Sequence, residues 1–245
     1  GPERDAQLAP HWGKRWARAT FDPVMEVPLD PDWTSTDQWQ AALRTKARTK
    51  VRSILGRSAD LEVERITDPA VLDQMGPDLI RLYDEVYGRA SIVMGGLEPR
   101  DFGSLARTLE SDLTVVTYRE DGRLVGFHCG IHHPDSRTIE AYYVGFEAKI
   151  NKERALYQRM LFEFIAWGIS LQARRVVMGR TALEIKSTLG AFPVPLSTFV
   201  HIQLPLAMPF LRWMIRKSPP HPFKPRRAWL AEWCERWQAA GYRIN

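Results

Sequence analysis

The chain has 245 residues, of which 44% are hydrophobic and 11% aromatic, with only two cysteines. That excludes a disulfide-stapled mini-protein and a disordered tail, and leaves one large domain, or one and a half ordinary ones, with a sizeable core. Lys and Arg outnumber Asp and Glu by 34 to 29, a net charge of +5, which suits a nucleic acid, a phosphate-bearing cofactor, an acyl carrier protein or an anionic membrane surface without choosing among them.

Gly1 and Pro2 look like the remnant of a tag-removal protease site and are set aside from the fold. The next residues, to about 36, are rich in Pro, Trp and Asp and read as an extended arm. From Gln38 to Leu55 the pattern turns helical: Leu43, Ala47, Val51 and Ile54 form an apolar stripe. Arg44, Arg48 and Arg52 flank it on one side and Lys46 and Lys50 on the other. This basic face is either solvated or a surface for phosphates or an acidic carrier. Residues 3–57 are thus expected to be an arm and a basic amphipathic helix outside a core domain of residues 58–204.

Within that core, Leu61, Val63 and Ile66 alternate as a short strand, and apolar residues from Leu72 to Tyr87 recur at the helical period. After Gly95-Gly96, Pro99 and Asp101 start a second helix. Residues 113–118, 124–132 and 138–146 form a three-stranded antiparallel meander, with Asp121-Gly122 as its first hairpin turn. A long helix over 151–171 follows, then a strand at 175–178, a helix over 182–189 closed by Gly190, and a last strand at 197–203. The predicted fold class is α/β with a mixed sheet, in the order β-α-α-β-β-β-α-β-α-β.

That order resembles the GNAT acyltransferase fold over roughly residues 61–203. Narrower likenesses are Phe21-Asp22-Pro23, Trp33, residues 43–48, Asn151-Lys152-Glu153 with Tyr157-Gln158, and above all Gly179-Arg180-Thr181-Ala182-Leu183-Glu184-Ile185-Lys186-Ser187 with Gly190-Ala191. This set resembles the Fem-like branch of the superfamily, described as peptidoglycan-biosynthesis or N-acyltransferase proteins. The resemblance implies transfer of an acyl group to an amine from a thioester, acyl-CoA or an acyl carrier protein's phosphopantetheine, or in the Fem branch from an ester on tRNA. Many GNAT enzymes hold the coenzyme A pyrophosphate on a glycine-rich loop before the central helix. Here that place reads Lys149-Ile150-Asn151-Lys152-Glu153-Arg154-Ala155, without glycine.

An amine attacking an acyl carbonyl must lose a proton, and the oxyanion needs donors. On the strand at 124–132, alternation puts His128 between Gly126 and Gly130, with apparent space around its imidazole. Glu140, Tyr142 and Tyr143 lie on the neighbouring strand. A register that brings even-numbered residues together would make His128 the base, Glu140 its orienter and Tyr142 a polar lining, whereas a one-residue slip would substitute Tyr143. Arg180, Thr181, Glu184 and Lys186 surround the end of the penultimate strand, where ligands collect in open α/β sheets. Thr181 is a candidate N-cap and Arg180 can pair with Glu184. Asn151, Lys152 and Tyr157 on the central helix complete the candidate donor or substrate contacts. His132 and His133 beside Asp135 lack further ligands at metal spacing, so no metal is expected.

Residues 187–211 lack charge but hold Pro193, Pro195, Pro205 and Pro209, which argues against a transmembrane helix. Residues 205–245 form an extension, apolar and then basic from Arg212 to Arg227, that either touches a membrane surface or packs on the core through Trp229 and Trp233. The reading is a cytoplasmic N-acyltransferase acting on a small-molecule amine with an acyl-CoA or phosphopantetheine-linked donor. Transfer from an aminoacyl-tRNA held by the basic flanks is the second reading, and a non-catalytic binding module the third.

Overall fold

The meander read from residues 113–146 forms the centre of a seven-stranded sheet. The structure is a computed structural model that describes residues 16–20, 22–88, 96–203, 207–217 and 223–243. Its strands are β1 (Ala17–Thr20), β2 (Val24–Pro28), β3 (Glu62–Ile66), β4 (Leu113–Glu120), β5 (Arg123–His133), β6 (Thr138–Phe146), β7 (Arg175–Val177), β8 (Phe192–Val194) and β9 (Ser197–Val200). The main sheet runs β3-β4-β5-β6-β7-β2-β8. Neighbours are antiparallel except β6 and β7, which are parallel. Asp121 and Gly122 both take positive φ between β4 and β5, the backbone that a tight hairpin with right-twisted strands requires.

Helices cover both faces. On one, α3 (Pro69–Tyr87) and α4 (Asp101–Leu109) bury Leu72, Leu79, Leu82 and Phe102 against Phe127 and Cys129 of β5. Asp68 caps α3 by accepting the Ala70 N–H at 2.8 Å, with Pro69 opening the helix. On the other face α6 (Leu156–Ser170) crosses the sheet, and α1 (Thr36–Ala42) and α2 (Thr45–Arg57) pack on it, with the Trp39 and Phe162 rings 5.9 Å apart. Each Leu, Ile or Phe fully buried in these layers is worth about 1.5–3 kcal/mol.

Several sequence expectations change here. The described part of the N-terminal segment, residues 16–20 and 22–57, is not an arm outside the core: β2 lies between β7 and β8, and Met25, Val27 and Trp39 belong to the same buried cluster as Phe164 and Ile165. The basic helix is two helices, because Leu43 turns extended to form a bridge with Trp229. The long central helix is likewise broken. Ala155, at φ 54°, separates α5 (Ala148–Arg154) from α6. β9 does not end the main sheet but pairs with β1 in a separate two-stranded sheet, while β8, unforeseen, takes the edge beside β2. The expected break at Gly95 falls outside the described residues, as do Gly1, Pro2 and residues 204–206 and 218–222.

Among the described residues three further helices follow: α7 (Leu183–Thr188), α8 (Met208–Lys217) and α9 (Ala231–Ala239). Trp229 anchors the extension, its indole N–H donating to the Gly190 carbonyl at 2.8 Å. Around it Trp33 sits 4.9 Å from Trp233 and 6.2 Å from Trp237, and Arg236 forms an ion pair with the buried Asp30. Among the described residues no helix is long and apolar enough to cross a membrane.

Candidate active site

The parallel pair β6–β7 is short and opens. Pairing covers only Thr138 to Glu140 against Arg175 to Val177. β7 then leans to β2, with the Met178 N–H donating to the Met25 carbonyl and the Met25 N–H to the Gly179 carbonyl. β6 runs on to Phe146 paired only with β5. A gap therefore opens at the carboxyl ends of two parallel strands, the position at which open α/β sheets collect ligands.

Its borders come from four elements. Phe146 at the end of β6 lies 5.8 Å from the Tyr157 ring at the start of α6. The Tyr157 hydroxyl is hydrogen-bonded to Thr181, and burial pushes its pKa up to about 12 while Thr181 pulls the other way. Gly179, at φ 75°, and Ala182, at φ 50°, turn the chain sharply into α7. Gly179 accepts such a φ freely, whereas Ala182 pays a steric cost. The outer side of this turn is an open groove of about 520 Å³ lined by Asp22, Arg180, Thr181, Glu184, Ile185 and Phe223.

Beneath the turn lies Lys186, only 2% exposed. A Cβ built on Gly179 would stand 3.9 Å from its Nζ. Burial alone lowers its pKa to about 7, and among the described residues no carboxylate forms a salt bridge with it. An amine that is half protonated at neutral pH can both accept and return a proton. The carboxylate on the same helix, Glu184, is bonded instead to Arg226 at 3.0 Å. The N-cap of α7 is Ala182, not Thr181, which leaves the Thr181 hydroxyl to Tyr157.

The grouping of His128 with Glu140 and Tyr142 does not form. A β-bulge between Cys129 and Gly130 changes the parity of the β5–β6 register: His128 faces Val144, but Ile131 faces Glu140. Glu140 is thus on the opposite face from His128, and Tyr142 is the additional residue in the bulge, 46% exposed. The space expected beside His128 is filled by α6. Cβ atoms at Gly126 and Gly130 would come within 2.7 Å of Leu156 and 2.6 Å of Phe164, so these glycines let the helix approach the sheet. His128 is 2% exposed, its Nδ1 lies 3.0 Å from the Tyr118 hydroxyl, and burial followed by the Arg65 and Arg159 charges lowers its pKa to about 3. Glu140 meets His133 at 3.1 Å. Tyr143 packs edge-on against Tyr83 and Phe102, and burial raises its pKa.

The segment where many such folds hold a coenzyme A pyrophosphate is filled from within. The Asn151 carboxamide accepts the Tyr157 N–H at 2.9 Å, occupying an amide at the start of α6. The Arg57 guanidinium binds the carbonyls of Lys152 and Glu153. With no glycine and its amide already engaged, this turn does not fit a diphosphate cradle.

Residues 41–187 match the family described as acetyltransferase (GNAT) domain. The chain belongs to that family. It is an acyltransferase of GNAT type. A search of curated proteins found no match. Among solved structures it shares its fold with FemX, at 11% identity over 84% of this chain and 70% of that one, TM-score 0.58. L-PGS from Bacillus licheniformis is similar at 17% identity over 86% and 70%, TM-score 0.55. A conserved protein of unknown function from Bacteroides thetaiotaomicron VPI-5482 is similar at 13% identity over 82% and 67%, TM-score 0.53.

Proposed function

We propose that this acyltransferase moves an acyl group from an activated donor to a primary amine at the gap between β6 and β7, with Lys186 as the proton-transferring group. The observation that carries the reading is a buried lysine without a carboxylate partner beneath the turn that follows β7. The acceptor enters as the free amine, its ammonium proton left to solvent, and neutral Lys186 accepts the proton that becomes acidic as the nitrogen bonds to the acyl carbon. The new C–N bond forms as the acyl bond to sulfur or oxygen breaks, and the lysine returns its proton to the departing thiolate or alkoxide. Thr181, oriented by Tyr157, offers a hydroxyl donor to the carbonyl oxygen as it gains charge. Arg180 at the groove rim suits a carboxylate on the acceptor.

Two donors are in view. Acyl-CoA or a phosphopantetheine-linked acyl group follows from the GNAT family. An ester on tRNA is favoured by the poor fit of the Lys149–Ala155 segment to a diphosphate and by the fold shared with FemX. The test is to incubate the protein with acyl-CoAs, an acyl carrier protein and mixed aminoacyl-tRNAs, each with and without a panel of primary amines, and to read the amide product by mass spectrometry. One donor class should be consumed only when an amine is present, and K186M should lower that rate at least ~100-fold. Consumption of no donor, or full activity in K186M, would overturn the reading.

A further inference from the structure

A second cavity, of about 690 Å³, lies at the end of α7 and shares no lining residue with the groove beside Thr181. It is lined by Lys46, Lys50, Thr49 and Ser53 of α2, Thr188 at the end of α7, and the Arg226–Ala228 segment. Four cations and three hydroxyl-bearing residues face it, and no carboxylate does. Lys46 and Lys50, one helical turn apart, present their charges on the same side roughly 6 Å apart along the axis.

The wall opposite α2 is fixed. Arg44 donates its N–H to the Ala228 carbonyl at 2.7 Å and its Nε to the Trp229 carbonyl at 2.9 Å. The Arg226 N–H is held by the Ser187 hydroxyl at 2.9 Å. A concave surface that gathers Lys46, Lys50 and Arg227, none of them in an ion pair with another described residue, beside the Thr49 and Ser53 hydroxyls on a rigid frame has the chemistry of a phosphate site. Arg226 also joins the two cavities, since its guanidinium reaches Glu184 in the groove beside Thr181. The six residues of α7 that separate them span roughly 9 Å.

We infer that this basic groove holds consecutive phosphate groups of the acyl donor, with Lys46, Lys50 and Arg227 neutralising them while the acyl end reaches over α7 to the gap between β6 and β7. The inference rests on the acyl-transfer reading above. It moves the donor's phosphates from the turn at the start of α6, which is self-occupied, to a surface made by α2 and the C-terminal extension. The shared chemistry is the phosphate oxygen, supplied either by an RNA backbone or by coenzyme A.

The experiment measures binding of fluorescently labelled tRNA and, in a second arm, of coenzyme A, between 50 and 300 mM salt. It compares the unaltered protein, K46Q/K50Q/R227Q, and the equal-charge control R52Q/R100Q/R216Q, all checked for unchanged thermal unfolding. One arm should bind, and for RNA the plot of log K against log salt should slope by about −2 to −3. The groove variant should weaken binding at least ~10-fold and flatten that slope, while the control changes binding less than ~3-fold. The arm that responds names the donor. Equal loss in the control, no loss in the groove variant, or no binding of either ligand overturns the inference. Amide formation measured alongside separates the two ideas: turnover with an unchanged donor KM in the groove variant removes the groove and keeps acyl transfer, whereas groove-dependent binding without turnover does the reverse.

Discussion

The Tyr157 hydroxyl and Thr181 are hydrogen-bonded across the gap between the start of the central helix and the turn after β7. That bond fixes one side of the opening in which the reaction is placed. Y157F should lower kcat/KM about 5-fold, the loss expected for one hydrogen bond of about 1 kcal/mol, and T181V about 100-fold, since it also removes the donor to the carbonyl oxygen. The double variant should lose little more than T181V alone, since the Tyr157 contact acts through Thr181. Fully additive losses in steady-state kinetics would mean that the two residues act separately.

Lys186 ties activity to stability. Its pKa is about 7 in the folded chain, against an ordinary lysine value of 10.5. Between those values the unfolded chain binds a proton that the folded chain does not, so stability falls as pH drops from about 10.5 to 7 and levels off below. K186M should therefore be inactive yet more stable at pH 7 by roughly 2–4 kcal/mol, with a flatter pH dependence. Urea unfolding at pH 7, 8.5 and 10 checks this, and a K186M protein less stable than its parent at pH 7 contradicts the burial argument.

His128 should matter for folding rather than for turnover. Its folded pKa of about 3 lies below the ordinary 6.5, so folding stability should fall as pH drops from about 6.5 towards 3, where only the unfolded chain takes the proton. H128Q, which strains the contact with Tyr118, should cost about 1–3 kcal/mol at pH 7. The kcat of the folded protein should stay within about 2-fold. A 100-fold loss of kcat in folded H128Q would return the imidazole to the chemistry.

Gly126 and Gly130 make room for the same helix but against different neighbours. A Cβ at Gly130 meets the rings of Phe164 and Trp167, and one at Gly126 meets the ends of Leu156 and Met160. Rings cannot fold away, while flexible chain ends can. G130A should lose about 1–3 kcal/mol and G126A less than about 1 kcal/mol, a ranking that thermal unfolding of the two variants reads directly.

Much of this protein was legible in its sequence, because short-range chemistry encodes it. Asp121-Gly122 gives the hairpin, Asp68-Pro69 the start of α3, the period-two runs the meander, and the Gly179 to Lys186 segment the likeness to the GNAT and Fem-like proteins. Those features depend on backbone preference and periodicity, which neighbours in the chain set by themselves. Tertiary structure alone decided the rest. One bulge at Tyr142 reversed the parity of β6 and parted Glu140 from His128, a change that no periodicity shows in advance. Insertion of β2 between β7 and β8 turned an expected arm into core, since strand pairing joins residues about 150 positions apart. The burial that lowers the Lys186 pKa, and the meeting of Lys46 and Lys50 with Arg226 and Arg227, arise only where distant segments close on one another. Charge and residue type were present from the start, but desolvation and proximity belong to the folded chain.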